Sequence, residues 1–502
     1  MRFCERWTRR GVRIALAGVV CLLAALILAV APASADRGLE VSVSDDQALL
    51  GTPVPSIANI LSTLSSIGVD RVVISAYWRD HVPDPLAVTR PAAFDASNPD
   101  APGYDWTSLD RVVLAASHLN LKVRIVITTP APLWGTSEPS RGNPVWRPRP
   151  AAFAAFAHAV AQRYGGLVDQ FSVMNEPNQN TWLQPQYDQQ GRPFSPRLYR
   201  RIAVAAFREI RRAAPQAHVL VGELSSRGSS AHHRLSPMRP LAFLRAMACV
   251  NRHYRPVRSG GCSHFEPVRA DTLAMHPYAF GVAPERHSRN RDDVRIGDTH
   301  RLLRALDRLT ARRRLLPTHG HHMPVRFTEF GYKTDPPDTK EGIPLRRQAR
   351  YLEQAAYMAW RNSRVAEINQ FRIIDGAIEH IPGRNEFRQF QTGLWFRTIR
   401  PKPALLGFVA PFVIFRRGSR MTVWGQVRPG RTHEVAIERA SHSHGPWRTV
   451  AHARTDGHGF FERRLRRRRG YYRYSYSGFG PRVAAPGFIE LPTVSDALRI
   501  SG

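Results

Sequence analysis

Two glutamates occur in similar surroundings in distant parts of the chain. Glu176 ends an apolar run in Phe171-Ser-Val-Met-Asn-Glu-Pro-Asn178, and Glu329 ends another in Val325-Arg-Phe-Thr-Glu-Phe-Gly-Tyr332. A β-rich run that is followed by a glutamate and then by Pro or Gly indicates that the glutamate stands at the end of a strand. Two such carboxylates facing each other have the groups needed for glycoside hydrolysis, because one donates a proton to the leaving oxygen while the other attacks the anomeric carbon or activates water.

The elements that must position these glutamates follow a repeating order. Strand-like runs alternate with helical patterns, and this alternation favours parallel strands joined by crossover helices. Eight such units favour an α/β fold of the closed (β/α)8, or TIM, barrel type, with catalytic side chains at the carboxyl ends of the strands. The eight runs are residues 41–43, 71–78, 122–129, 168–174, 218–222, 272–276, 325–330 and 368–374.

The part of the chain after the first 35 residues divides into two predicted domains. Residues 36–412 contain all eight units and form the predicted catalytic barrel, in which residues 225–269 and 281–324 are expected to be loops that wall a site. After Pro411 the sequence shows short β-type runs separated by turns such as Arg428-Pro-Gly430, without a helical period until the end. This pattern predicts a small β-sandwich of the immunoglobulin-like kind over residues 413–495.

The first 35 residues have the pattern of an export signal. Five arginines in residues 1–13 precede an uninterrupted apolar run over residues 14–31, and Ala33-Ser34-Ala35 follows as a small-x-small cleavage site. Cleavage after Ala35 predicts a secreted protein, extracellular or in the cell envelope. The apolar run is also long enough to span a bilayer, so an uncleaved anchor is the alternative. Export makes a disulfide between Cys249 and Cys262 possible.

The chain carries 72 basic and 40 acidic residues, a formal net charge of +32. Only four of the basic residues are lysine, and the arginines are spread along almost the whole chain, which a coding bias explains as well as a binding function does. The charge predicts attraction to anionic polymers, such as acidic glycans or a cell-envelope polymer, that salt weakens. Residues 463–476 interleave arginine with tyrosine and fit either a β-hairpin or a surface for such a polymer. An exported protein is not expected to bind nucleic acid.

The segments around the two glutamates also resemble a known family. Asn175-Glu176-Pro177 and Thr328-Glu329-Phe330-Gly331 are similar to the motifs of the retaining glycoside hydrolases of the (β/α)8 clan with catalytic glutamates on strands four and seven. That clan includes cellulases, mannanases, β-galactosidases and the β-xylosidase/α-iduronidase family. The resemblance implies that Glu176 is the acid/base, that Glu329 is the nucleophile and that Asn175 binds the sugar 2-hydroxyl, with no metal or organic cofactor. The nucleophile must be ionised, so we expect hydrogen-bond donors to hold the pKa of Glu329 down.

Further binding residues are predicted around this pair. In the clan a His or Tyr on strand six hydrogen-bonds the nucleophile, so the resemblance makes His276 and Tyr278 candidates for that contact. Trp78 on strand two and Trp134 after strand three are candidates for stacking on sugars, because apolar ring faces suit pyranose C–H groups. Glu223, after strand five, is a reserve carboxylate.

The chain departs from the clan at two positions of the sugar-binding wall. Many members have Trp before the Asn-Glu pair, where this chain has Met174, and Trp at the end of strand eight, where residues 369–376 contain none. Gln370, Phe371 or Asp375 must therefore fill that wall. A non-catalytic carbohydrate-binding or cell-envelope protein on a barrel scaffold is accordingly the alternative function.

Overall fold

Eight parallel strands close into a barrel in the computed structural model, which describes residues 38–51, 57–383, 385–477 and 495–500. Each strand pairs with its neighbours along the chain, and the first pairs with the eighth to close the ring. The predicted (β/α)8 barrel is confirmed, whereas the predicted signal peptide lies outside the described residues. The strands are β1 (Glu40–Ser44), β2 (Arg71–Tyr77), β3 (Lys122–Thr128), β4 (Gln170–Val173), β5 (His218–Ser225), β6 (Thr272–His276), β7 (Val325–Phe327) and β8 (Val365–Phe371).

Helices connect the strands and pack against the barrel. They are α1 (Ile57–Ser66), α2 (Thr107–His118), α3 (Pro150–Tyr164), α4 (Ser195–Ala213), α5 (Pro240–Met247), α6 (Thr299–Ala311), α7 (Leu345–Trp360) and α8 (Pro403–Val409). Residues 225–269 and 281–324, predicted as loops, contain α5 and α6. In α6 the buried stripe consists only of Leu302, Ala305, Leu306 and Leu309, between polar residues that obscure its period. Within the described ranges, every helix is too short or too polar to cross a bilayer.

The amino end of the barrel contains a network of buried ion pairs. Glu367 of β8 accepts from Arg124 of β3 at 2.6 Å and from Arg326 of β7 at 2.9 Å, and the first pair is fully buried. Arg71 of β2 contacts Glu40 of β1 at 2.9 Å. Burial alone would raise the pKa of Glu367, but Arg124 and then Arg326 lower it to about 2. The floor of the barrel is therefore ionic, in contrast to the branched aliphatic layers that are usual in this fold.

Two antiparallel sheets follow the barrel and enclose an apolar core of their own. Their strands are β9 (Phe412–Arg417), β10 (Arg420–Gln426), β11 (Glu434–Ala440), β12 (Arg448–Arg454), β13 (Phe460–Arg466), β14 (Gly470–Tyr476) and β15 (Leu498–Ile500). The orders β9-β10-β13 and β12-β11-β14-β15 confirm the predicted sandwich. Strands β13 and β14 belong to different sheets, so residues 463–476 are not a β-hairpin. Tyr472 and Tyr474 enter the sandwich core, whereas the β13 arginines are exposed.

The sandwich contacts the barrel through α7. The ring of Tyr357 packs on Phe415 and Trp424 of the three-stranded sheet, with centroid distances of 4.1 and 5.4 Å. On the same helix Glu353 is almost fully buried and accepts from Arg350 at 3.3 Å. Burial outweighs this contact and raises the pKa of Glu353 to about 8. Its carboxyl group is therefore protonated at neutral pH.

Glu353→Gln is expected to stabilise the protein in alkaline solution. The folded state keeps the Glu353 proton up to about pH 8, whereas the unfolded state releases it near pH 4.5, so the free energy of unfolding falls as the pH rises through this window. A neutral amide of the same size removes that cost, which is at most about 5 kcal/mol at roughly 1.4 kcal/mol per pKa unit. Urea unfolding of the variant and the wild type measures the difference in their free energies of unfolding. The variant should be the more stable protein above pH 8, and the difference should be absent below pH 4.5. Equal unfolding midpoints in alkali would contradict a protonated Glu353.

Candidate active site

The carboxyl ends of β4 to β7 bring four ionisable side chains into the mouth of the barrel. Glu223 lies in β5 and His276 ends β6, while Glu176 and Glu329 directly follow β4 and β7. The chain leaves β4 through left-handed backbone at Met174 (φ 63°) and Glu176 (φ 34°). Such conformations are costly for residues with a Cβ and persist where the surroundings fix a functional side chain. Here the backbone N–H of Glu176 donates to the carbonyl of Glu223 at 3.0 Å, which ties two strand ends together.

His276 joins the three glutamates. Its Nε2 lies 2.9 Å from Glu223, and its Nδ1 lies 3.0 Å from Glu176 and 3.4 Å from Glu329. As the doubly protonated imidazolium, the ring donates one hydrogen bond to a carboxyl oxygen of Glu223 and one to a carboxyl oxygen of Glu176. Burial alone would lower the pKa of His276, but the charges and hydrogen bonds of Glu329, Glu176 and Glu223 raise it well above its usual range. The centre of the site is thus one buried positive charge among carboxylates.

Glu223 anchors this imidazolium. Its side chain is 1% exposed, and it accepts from the Thr328 hydroxyl as well as from His276. Burial favours the protonated carboxyl, but the hydrogen bond and charge of His276, followed by the charge of Arg124, leave the pKa of Glu223 below its ordinary value. Glu223 therefore stays ionised in the core and supplies the negative charge that keeps His276 protonated. Glu223 was only a reserve candidate beside Glu176 and Glu329, because nothing in the chain order shows which strand-end carboxylates face inward.

Glu329 receives a hydrogen bond from Tyr278, whose hydroxyl donates to Oε2 at 3.0 Å. Tyr278 and His276 therefore stand beside Glu329, as the resemblance implied. The expected low pKa is not found: burial raises the pKa of Glu329 to about 7, because the charge of Glu176 offsets part of the opposing effect of His276 and Tyr278. Desolvation inside the barrel is the largest cause, and it depends on packing that a strand pattern does not reveal.

The carboxylates of Glu176 and Glu329 lie close together. Each contributes an oxygen to a group of three, completed by a His276 nitrogen, whose atoms all lie within 4.8 Å of one another. Carboxyl groups about 5–5.5 Å apart are typical of retaining glycosidases, and separations of about 6.5–9.5 Å are typical of inverting ones. The same three side chains are of metal-ligating types, but an imidazolium has no free lone pair for an ion and would first have to lose a proton.

Phe371 forms the wall at the end of β8. It lines the same space as Glu329, and its ring lies edge-on to Tyr278 with centroids 6.4 Å apart. The two other residues predicted for this wall are engaged elsewhere. Gln370 donates to backbone carbonyls, and Asp375 pairs with the Lys402 ammonium at 2.7 Å.

Asn175 and Asp46 line the same space. The backbone N–H of Asn175 donates to the Thr128 hydroxyl at 3.0 Å, which fixes the turn before Glu176. Asp46 accepts from the Tyr77 hydroxyl at 2.7 Å, and burial raises its pKa. The sequence analysis missed Asp46, because two aspartates after a short first strand look like an ordinary polar turn. Its position just past a barrel strand is the signal that would have found it.

Known proteins resemble this chain only distantly. No family model and no curated protein matches the sequence. Similar solved structures include the GH39 enzyme from Xanthomonas axonopodis pv. citri (15% identity, 88% of this chain and 94% of that chain, TM-score 0.46). Another is a monomeric β-xylosidase from Caulobacter crescentus CB15 (13% identity, 86% of this chain and 94% of that chain, TM-score 0.45). A third is a glucosidase from Croceicoccus marinus (13% identity, 86% of this chain and 93% of that chain, TM-score 0.49). The chemistry of this chain rests on the side chains in the barrel mouth.

The two tryptophans predicted to stack on sugars are in the core. Trp78 is 0% and Trp134 1% exposed, and their rings meet edge to face at 5.9 Å. That prediction is wrong, because other aromatic rings cover both side chains. Phe153 and Phe156 of α3 pack on Trp78 at 5.7 and 6.0 Å, and Phe94 packs on Trp134 at 6.0 Å. Trp182, which the sequence analysis missed, is half-buried in the loop after β4 and stacks on Tyr77 at 6.2 Å. Its place shortly after Glu176 in the chain is the signal that would have identified it.

Proposed function

We propose that this protein is a glycoside hydrolase that cleaves O-glycosidic bonds of a polysaccharide or oligosaccharide with retention of anomeric configuration. The observation that supports this most directly is the pair Glu176 and Glu329, with carboxylate oxygens within 4.8 Å of each other at the mouth of a closed barrel. Such a short separation suits direct attack on an anomeric carbon and leaves little room for an intervening water.

The reaction takes two steps. Ionised Glu329 attacks the anomeric carbon while Glu176 gives its proton to the leaving oxygen, so the glycosidic C–O bond breaks and a glycosyl ester forms. Water then attacks the same carbon as Glu176 takes its proton, which releases Glu329 and a sugar of the original configuration. His276 supplies positive charge beside both carboxylates and favours the ionised nucleophile. Asn175 binds the sugar 2-hydroxyl in this scheme.

We also infer that the protein acts outside the cytoplasm, with residues 1–35 as its signal peptide. The predicted disulfide between Cys249 and Cys262 is present, and disulfides persist in oxidising compartments. The arginine excess favours surroundings that carry negative charge, such as a cell-envelope polymer. The mass of the exported protein tests the signal peptide: cleavage places Asp36 at the amino terminus, and an intact Met1 would mean an anchor.

A substrate panel tests the activity itself. Aryl glycosides and polysaccharides are incubated with the enzyme, and proton NMR follows which anomer of the product appears first. We expect the anomer of the substrate, and the opposite anomer would overturn the retaining mechanism. A protein that binds glycans but hydrolyses nothing in the panel would favour the carbohydrate-binding alternative, for which the missing strand-eight tryptophan is the leading structural reason.

The value of kcat/KM is expected to fall as the pH drops below about 7. Burial raises the pKa of Glu329 to about 7, and protonation there removes the nucleophile from the free enzyme, whose ionisations kcat/KM reports. A well-solvated glutamate would keep its charge down to about pH 4.3. A pH–rate profile with the best substrate of the panel measures the acid limb. A limb in the range of a solvated carboxylate would contradict the desolvated nucleophile.

A further inference from the structure

A cavity of about 610 Å³ lies against α4, outside the catalytic centre. Its wall comes from α4, from the loop before that helix and from residues 261–266, at and just after the end of the loop that the Cys249–Cys262 disulfide closes. It shares no lining residue with the space around Glu329. The volume is in the range of binding sites for small organic ligands, and it far exceeds that of a single ion.

The charge of the cavity wall is strongly positive. Both of its carboxylates are already used, because Asp188 accepts from Arg192 at 2.8 Å and Glu266 accepts from Arg208. Among the described residues, three of the four arginines in the wall therefore have no acidic partner. The four are Arg197, Arg200, Arg201 and Arg208, all on α4.

Arg200 shows the electrostatic cost of this arrangement. It is 4% exposed, and its terminal nitrogens donate to the carbonyls of Met247 at 3.1 Å and Gly261 at 2.8 Å and to the sulfur of Cys249. Burial and then the charge of a neighbouring arginine, Arg197, lower the pKa of Arg200 to about 10. A buried guanidinium among like charges is unfavourable unless an anion joins it.

Donors remain for such an anion. Arg197 lines the cavity without an acidic partner in the described part of the chain, and Arg201, also in the wall, is exposed. Guanidinium groups match the oxygens of phosphate, sulfate and carboxylate in paired hydrogen bonds. Phe194 and Val204 add apolar surface of the kind that packs on a sugar ring. We propose that this cavity is a second, non-catalytic binding site for a sugar that carries an oxyanion.

Calorimetric titration tests the site without relying on hydrolysis. Glucose 6-phosphate, glucose 6-sulfate and glucuronate are compared with glucose and with inorganic phosphate, using the full protein at low ionic strength. At least one of the acidic sugars should bind, and Arg197→Gln with Arg201→Gln should weaken it about tenfold or more, because charged hydrogen bonds are lost. The matched control is Arg346→Gln with Arg347→Gln, which removes the same charge from the first turn of α7 and should leave the affinity unchanged.

Each outcome decides the proposal. Binding that falls only in the α4 double variant supports it, and the best ligand names the oxyanion. Equal loss in both double variants means that net charge alone attracts the ligand, which overturns the site. Inorganic phosphate binding as tightly as every acidic sugar overturns the sugar assignment, and absence of binding by all probes overturns the proposal entirely. Arg201→Glu, at an exposed position, repeats the test if the double variant unfolds.

Discussion

Glu329→Gln is expected to lower kcat by roughly 10⁶-fold, the scale seen when an enzyme loses its covalent nucleophile. The amide keeps the size of the side chain and can still accept from Tyr278, but it carries no charge with which to attack the anomeric carbon. Stopped assays with the best substrate of the panel measure kcat. The matched control is Glu353→Gln, the same change at another buried glutamate, which should leave kcat intact. Similar activity in the Glu329 variant and the wild type would remove Glu329 from the mechanism.

The companion change Glu176→Ala separates the roles of the two carboxylates. Loss of a general acid costs about 10²–10⁴-fold, and the cost should shrink for aryl leaving groups that need no proton. Added azide should restore turnover of such substrates, because this anion attacks the anomeric carbon of the glycosyl ester in place of water and needs no general base. A loss that is the same for good and poor leaving groups would exclude Glu176 as the acid.

Glu223→Gln is expected to lower kcat by about 10²-fold, although Glu223 is a positioning residue that acts through His276. Without the negative charge of Glu223 the pKa of His276 falls, because that carboxylate is one of the groups that raise it. The positive charge beside Glu329 is then lost at a lower pH than in the wild type. The alkaline limb of the pH–rate profile should therefore move toward acid, while KM changes little.

Two comparisons distinguish this role from a purely structural one. Glu223→Asp restores the charge and should recover part of the alkaline limb, whereas a residue needed only for packing would gain nothing from it. Glu353→Gln should leave the limb where it is. A uniform loss of activity at every pH, with an unchanged profile, would mean that Glu223 only holds the strand ends in place.

The strands and the two central glutamates could be predicted because their signals are local. The run at residues 272–276 coincides with β6, and Glu176 and Glu329 stand at the expected strand ends, since a β-rich run and the turn after it lie within a few residues. The sandwich strands were predicted for the same reason, apart from β9, β13 and β15. The sequence did not predict β13 because its arginines have the pattern of a charged segment, although they are exposed side chains of a strand.

Features that depend on three-dimensional packing were not accessible from the sequence. The sequence around a tryptophan such as Trp78 does not show whether its ring will be buried under a helix or exposed to solvent. The same holds for His276, whose two nitrogens meet carboxylates from three different strand ends. The raised pKa of Glu329 follows from burial, which no spacing rule reports. Residue type and strand position therefore identified candidate site residues. Only the distances between their side chains show which of them contact one another.

The ionic floor of the barrel has a consequence for how the chain acquires its structure during synthesis. Arg124 emerges with β3, whereas its buried acid, Glu367, is on the last strand of the ring. A buried charge without its partner costs several kcal/mol, so a nascent chain that ends before Glu367 gains little from assembling the first seven strands. We therefore expect the ring to form only once β8 is available. Fragments that stop short of β8 should yield no smaller folded barrel, and the order of translation delays folding until nearly the whole catalytic region is available.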